Sequence, residues 1–179
     1  MKTPILETER LILRPLTIAN AEEAFTNWTS DPDVAKFMTW STHTDVEVTR
    51  AWLAEVEKNL DSDTAYEWGF FRKEDNVLIG TGSICYKETV GAFEIGYNIM
   101  KSCWHQGYTS EAAIVIRDFL INTLGQKKLY GRHATDNPNS GKVMEKIGLR
   151  YTGDSSYDSM DGTKHYACKK YLFEKGIPQ

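Results

Sequence analysis

Hydrophobic and polar positions change period several times along the chain, and each change predicts an element. Over residues 9–16, Leu11 and Leu13 alternate with Ile12 and Arg14 before Pro15 closes the run, which predicts a strand. From Thr17, a good helix N-cap by type, the period lengthens. Ala21, Ala24, Phe25 and Trp28 then share one helical face until Ser30-Asp31-Pro32-Asp33 breaks it. Residues 33–42 are short and aromatic and end at Trp40. Thr44-x-x-Glu47 reads as a capping box and predicts a helix to about Leu60, with Val48, Trp52, Leu53 and Val56 inward.

Residues 66–72 and 77–86 predict a hairpin across Lys73-Glu74-Asp75-Asn76, and residues 92–100 a third strand. Ala112, Ala113, Ile116, Phe119, Leu120 and Leu124 recur at helical spacing, and Gly125 ends that helix. Leu129 to Ala134 is the next strand. Asn137 and Pro138 form an N-cap and first-position pair for a helix that Gly148 stops. Residues 149–157 and 164–173 predict a last hairpin around Asp161-Gly162. Strand, two helices, three strands, helix, strand, helix, two strands is the order of a mixed α/β layer fold.

Composition narrows the function classes. A chain of 179 residues is expected to form one domain, 1–179, large enough to bury a core. A net charge of −4 argues against a nucleic-acid partner. The chain lacks an apolar run of the ~18 residues a membrane helix needs, and no signal-peptide pattern opens it. Cys85, Cys103 and Cys168 are odd in number and lack metal-ligand spacing, which fits a reducing cytoplasm and no bound metal. A monomer or homodimer is the expected assembly.

Chemistry enters with Ile95 to Ala113. Gly107 stands just before Tyr108-Thr109-Ser110-Glu111, where the apolar helical period begins. A loop there delivers unpaired backbone N–H groups and the positive end of a helix dipole into one volume, an anion site suited to phosphate or pyrophosphate. Neither G-x-x-x-x-G-K-[ST] nor G-x-G-x-x-G is present, so an ordinary strand-to-helix turn stays equally open on this stretch alone. The second stretch that bears on it is Asn137-Pro138-Asn139-Ser140-Gly141-Lys142-Val143-Met144-Glu145-Lys146-Ile147-Gly148-Leu149.

Together the two stretches resemble the GNAT superfamily of N-acetyltransferases. Glu94-Ile95-Gly96-Tyr97, Trp104, Gly107-Tyr108 and Ser110-Glu111-Ala112 match its acetyl-coenzyme A loop and the strand before it. Asn137, Ser140, Val143, Glu145-Lys146 and Gly148 match its later helix, and Glu7 to Leu16 looks like the first strand of the RimJ/RimL-type branch. The resemblance covers essentially the whole chain. His105 and Thr109 depart from it, standing where the family usually has Gly and Ala.

The resemblance implies a mixed, mostly antiparallel sheet of about seven strands, splayed between the fourth and fifth, with about four flanking helices and the pantetheine arm in the splay. It implies acetyl transfer from acetyl-coenzyme A to a primary amine by direct attack on the thioester. The acceptor would be a protein N-terminal α-amine of ribosomal-protein type, or a small amine. Gln106, Gly107, Tyr108, Thr109 and Ser110 would hold the pyrophosphate. Lys142 would add charge for another phosphate or lie solvated. Asn137 would pair with a pantetheine amide, cap its helix, or both. A backbone N–H near Ile99 would meet the thioester oxygen.

Glu94 is the first candidate for general base, against a solvent-facing or ion-paired strand glutamate; Glu67 and His165 are lesser candidates. Met144 occupies the position of the tyrosine acid of many relatives, so Ser140 becomes the candidate donor to the leaving thiolate, against a plain helix-start serine. Trp40, Trp68, Tyr157 and His165 are the candidate acceptor wall, with Tyr66 beside them; Trp28 and Trp52 read as core. Asp154, Asp158 and Asp161 make the last hairpin acidic, which would suit a cationic substrate or be merely solvated. The rival class is a non-catalytic acyl-coenzyme A-binding module, which would keep the loop and lose the base and the acid.

Overall fold

Eight strands form one sheet in the order β1-β2-β3-β4-β5-β6-β8-β7. They are β1 (Leu6–Glu7), β2 (Leu11–Arg14), β3 (Ala65–Arg72), β4 (Leu78–Lys87), β5 (Ala92–Ile99), β6 (Lys128–Ala134), β7 (Arg150–Asp158) and β8 (His165–Glu174). The structure, a computed structural model, describes residues 2–176; residue 1 and residues 177–179, the ends of the expected domain, lie outside the described residues. Helical segments are α1, which passes from a 3-10 turn (Ile18–Asn20) through Ala21–Ala24 into a π turn (Phe25–Thr29), then α2 (Pro32–Ala35), α3 (Val46–Lys58), α4 (Tyr108–Asp118, continued by a π turn Phe119–Thr123) and α5 (Pro138–Lys146).

Strand period decides what each face buries. Tyr66, Trp68 and Phe70 of β3 point to the α4 side, where Leu11, Leu13, Ile79, Ile84, Ile95, Ile116, Leu120 and Met144 complete one core. Phe71 and Leu78 point the other way and meet Leu16, Ala24, Trp28 and Leu53 from α1 and α3. Each Leu, Ile, Phe or Met side chain among them, removed from water, contributes about 1.5–3 kcal/mol. Gly141 lets α5 close onto β6, because a Cβ there would stand 2.6 Å from His133 Nε2.

The expected splay is present. β5 and β6 are the parallel pair, and they register only at Phe93↔Leu129 and Glu94↔Tyr130 before diverging. The fourth and fifth strands of the sequence reading are β5 and β6, because an extra strand precedes them. Leu6–Glu7 folds back to pair with Leu13 and Ile12, which shortens the run expected over residues 9–16.

Three local expectations are corrected. Where a break was expected, Asp31 accepts a hydrogen bond from the Asp33 N–H (2.8 Å) and Pro32 opens the short helix α2. The cap of α3 is Asp45, accepting from the Glu47 N–H (2.8 Å), rather than Thr44. Thr49, Leu53 and Val56 share the buried face of α3, so Val48 faces solvent, 45% exposed, and Thr49 takes the inward place, sharing a 2.8 Å hydrogen bond with Thr29. Trp68, expected at the acceptor wall, is fully buried. Its Nε1 donates to Pro4 O (2.7 Å) and its ring stacks on Tyr66, because β3 turns it toward α4.

Candidate active site

The loop after β5 is built to present backbone. Trp104 Nε1 donates to Ile99 O (3.0 Å) and Gln106 Nε2 to Ser102 O (2.8 Å), fixing both ends of a turn through the 3-10 segment Lys101–Cys103. His105 and Gly107 both take left-handed backbone, at φ 61° and 83°. At residue 105 a side chain in that region costs roughly 1–2 kcal/mol, which is the physical reason a glycine suits the place. The first α4 hydrogen bond runs from the Glu111 N–H to Gly107 O (3.1 Å), so the N–H groups of Tyr108, Thr109 and Ser110 precede the helical ladder.

Glu111 clamps this helix start to the β1–β2 turn. Its carboxylate accepts from Thr8 Oγ1 (2.5 Å), the Arg10 N–H (2.8 Å) and Arg10 Nε (2.7 Å). Burial raises its pKa, but these donors outweigh it and hold the carboxyl below its usual range. The Arg10 guanidinium also lies 4.1 Å from the centre of the Tyr108 ring. Tyr108 and Gln106 therefore contribute backbone only; their side chains are used locally.

Two cavities meet beside the loop. The larger, about 440 Å³, runs from Gly107, Thr109 and Ser110 past Ile99 to Asn137, Ser140 and Lys142. The smaller, about 250 Å³, is lined by Ser83, Glu94, Gly96, Arg132 and Tyr157 on the far side of the splay. Phe37, Met38, Tyr97, Asn137 and Ser140 border both.

Backbone alternation sets the polarity of the junction. The Met100 N–H donates to Ile79 O (2.8 Å), so one residue earlier the N–H and C=O of Ile99 face away from β4, into the splay. Asn137 is the N-cap of α5 by position, but its side chain makes no capping hydrogen bond. The residue lines both cavities. Tyr97, which the sequence reading used only as part of a motif, reaches across from β5. Its hydroxyl donates to Ser140 O (2.9 Å) and lies 3.1 Å from Ser140 Oγ. Burial holds that phenol well above its usual range. Met144 is 1% exposed in the core, so α5 offers no other donor at that turn.

These features are a loop that presents backbone N–H groups at a helix start, a splayed sheet and a hydroxyl at the splay. A family model for the acetyltransferase (GNAT) domain matches residues 10–150. The chain belongs to the GNAT acetyltransferase family. It is similar over its length to YoaA, an uncharacterized N-acetyltransferase of Bacillus subtilis strain 168, at 26% identity across 98% of this chain and 92% of that protein. The p20 N-acetyltransferase of Bacillus licheniformis is 28% identical over 83% of each chain. Among solved structures, a candidate ribosomal-protein-serine acetyltransferase from Vibrio cholerae superposes with a TM-score of 0.82 at 20% identity, covering 96% of this chain and 99% of that one. The microcin C7 self-immunity acetyltransferase MccE, solved with acetyl-coenzyme A and AMP, gives 0.79 at 16% identity, covering 93% of each. The protein is thus an acyltransferase with the mixed α/β GNAT fold.

On the far side of this GNAT splay the carboxylates are arranged unequally. Glu94 lines the smaller cavity and is paired with Arg132 Nε at 2.8 Å, the two side chains 16% and 31% exposed. Glu67 lies two strands away on the same face and accepts from Thr81 Oγ1 (3.1 Å); burial pushes it up to about 7. Neither cavity is lined by Glu67.

Its titration makes a stability prediction. A carboxyl whose folded pKa is raised contributes fully below the unfolded value near ~4.3 and loses that contribution as pH rises through about 7. Glu67→Gln is therefore expected to be more stable than the parent at about pH 8 and indistinguishable at about pH 4. Urea midpoints at the two pH values check this; a difference independent of pH contradicts it.

The remaining acceptor candidates divide. Tyr157 lines the smaller cavity, its hydroxyl donating to Phe37 O (2.7 Å), and burial pushes it up to about 12. Trp40 instead packs on the α1–α3 core, 5.5 Å from the His43 ring, outside both cavities. His165 is exposed and held by Asp158 (2.6 Å), away from the site. The acidic hairpin is also used locally. Asp161 accepts from Ser159 (2.6 Å), Ser41 (2.5 Å) and Thr163 (2.7 Å), and Asp154 from the Tyr151 hydroxyl (2.9 Å). Among the described residues, no group of three His, Cys, Asp or Glu could hold a metal ion.

Proposed function

We propose that this chain, read as one domain over residues 1–179, is an acetyl-coenzyme A-dependent N-acetyltransferase of RimJ/RimL type acting on a primary amine. The observation that carries the reading is the meeting of two cavities at Tyr97, Asn137 and Ser140, with the Ile99 N–H facing the splay. The donor set suits a coenzyme A: left-handed Gly107 with three N–H groups ahead of the helical ladder, Lys142 farther along, and an amide at Asn137 with no capping bond. When bound, acetyl-coenzyme A supplies an acyl thioester.

The residues then divide the work. The Ile99 N–H polarises the thioester carbonyl, a donor of a kind worth ~3 kcal/mol of barrier. Glu94 takes a proton from the acceptor ammonium, so that the amine lone pair forms the new N–C bond. As the C–S bond breaks, Ser140 Oγ–H gives a proton to sulfur and takes in its place the second proton that the new amide nitrogen sheds, while Tyr97 holds Ser140 through their 3.1 Å contact. Glu94 and Ser140 on one cavity system argue against the non-catalytic module. The Vibrio cholerae neighbour supports a protein α-amine as acceptor, while the size of the smaller cavity supports a small amine. Three free cysteines, none disulfide-bonded, support a cytoplasmic setting.

Thiol release from acetyl-coenzyme A across peptides, amino acids, polyamines and aminoglycosides tests the activity. Ser140→Ala is expected to lower turnover roughly ten- to a hundredfold with cofactor affinity little changed, since a thiolate near pKa ~8.5 needs only assistance. Tyr97→Phe should cost about tenfold or less, and the double variant little more than Ser140→Ala, because the two hydroxyls act in series. Steady-state kinetics beside calorimetry decide it. Unchanged turnover leaves Ser140 a helix-start residue, and collapsed affinity makes it a cofactor-positioning one.

A further inference from the structure

The transferase reading leaves one strong feature of the smaller cavity unused, the guanidinium of Arg132. Only its Nε is engaged, by Glu94 at 2.8 Å. Its two terminal nitrogens make no hydrogen bond to any described residue, although the side chain is only 31% exposed. The plane is held in place from a second direction, 4.9 Å from the centre of the Tyr157 ring, and that ring is pinned by its own hydroxyl to Phe37 O (2.7 Å). An arginine fixed at one nitrogen and over one aromatic face keeps a preorganised fork for a planar anion.

Charge around the cavity points the same way. Lys87 and Arg132 line it against Glu94 alone. Lys170 stands opposite Arg132 across the β6–β8 ladder. The hairpin aspartates that would have drawn a polycation are bound elsewhere, Asp154 to Tyr151 and Asp161 to Ser159. An acceptor with two or more positive charges meets no surplus of negative charge here. An acceptor with one amine and one nearby carboxylate meets its complement, because Glu94 and Arg132 form an adjacent anion and cation in the same small space.

We propose that Arg132 is the acceptor-anchoring residue of this transferase, binding a carboxylate carried close to the amine, so that the acceptor is a free α-amino acid rather than a polyamine or a peptide N-terminus. The inference rests on the transferase reading and selects among its acceptors. Glu94 faces the ammonium, the terminal Arg132 nitrogens hold the carboxylate, and the amine is directed toward Ser140 and Tyr97 at the cavity junction. A peptide presents a neutral amide where this carboxylate would be, and leaves the fork empty.

The test uses four L-α-amino acids (alanine, methionine, glutamate, phenylalanine), each beside its α-carboxamide. Thiol release from acetyl-coenzyme A is measured alongside calorimetric binding to protein saturated with coenzyme A. For at least one pair, the wild-type protein is expected to use the acid with a kcat/KM tenfold or more above that of the amide. In Arg132→Gln that ratio should fall to about one, because the acid loses tenfold or more in kcat/KM beyond whatever the amide loses through the shared Glu94 contact. Arg132→Lys, which keeps a charge but not the fork, should lie between. The wild-type comparison needs no variant to fold. Acid and amide used equally by wild type in all four pairs, or a preference that persists in Arg132→Gln, overturns the subsite. Turnover of peptides or diamines without acid preference overturns it too and leaves the transferase reading intact. Acid-selective binding lost in Arg132→Gln, with no thiol release from any amine, supports the subsite and sinks the transferase reading instead.

Discussion

Gly107→Glu is expected to weaken coenzyme A binding by roughly a hundredfold or more in a protein that still folds. Folding should survive because a Cβ at this position meets nothing nearer than Arg10 Nη2 at 3.6 Å. The backbone cost of a non-glycine residue at φ 83° is roughly 1–2 kcal/mol, within the stability of an ordinary domain. Binding should fail because the new carboxylate sits beside the N–H groups of Tyr108, Thr109 and Ser110 and takes the place of the phosphate at the helix dipole. Gly107→Asn separates the two effects: asparagine tolerates left-handed backbone and carries no charge, so it should bind coenzyme A within about tenfold of wild type. Calorimetry on both variants, with circular dichroism as the folding check, gives the answer. A folded Gly107→Glu protein with unchanged affinity removes this loop from cofactor binding.

The second large effect is expected at Glu94. Glu94→Gln should lower turnover about a hundred- to a thousandfold near pH 7 and recover part of it above about pH 9. The direction follows from the acceptor. An α-ammonium, with a pKa near ~8 on a peptide and higher beside the carboxylate of a free amino acid, is mostly protonated at pH 7, so a base is needed there, whereas at high pH the free amine exists without one. Glutamine keeps the shape and an oxygen that accepts from Arg132 Nε, so lost positioning should be small beside lost basicity. Glu67→Gln is the control, since that residue lines neither cavity. A Glu94→Gln enzyme with wild-type turnover from pH 6 to 10 would remove Glu94 from the mechanism, and a collapse in Glu67→Gln alone would transfer the role.

Both predictions concern residues read from the sequence before the structure, and the reason they were legible is local. Gly107 stands at a change of period, and a strand-to-helix turn with a lone glycine announces a positive φ. Asn137 and Pro138 declare a helix start by capping chemistry, and α5 begins there. Thr44 and Asp45 are both good N-caps, so residue types leave the start of α3 open by one residue, and burial of Thr49 in place of Val48 shows which face packs.

Features enforced by near neighbours along the chain are therefore legible in residue order. These local rules cover the alternation of β3 and β4, the starts of α4 and α5, the positive-φ turn before α4 and, through the motifs, the family. Encounters between distant segments come from packing. Tyr66 and Trp68 lie with α4 in the core because period two says that they share a face but not which face is covered. β8 inserts between β6 and β7, which brings Lys170 opposite Arg132. Arg132 meets Glu94 across the parallel β5–β6 contact, and Tyr97 meets Ser140 where those strands part. These pairs join residues separated by long stretches of chain. Their geometry is set by register and splay, quantities that no local spacing of residue types records.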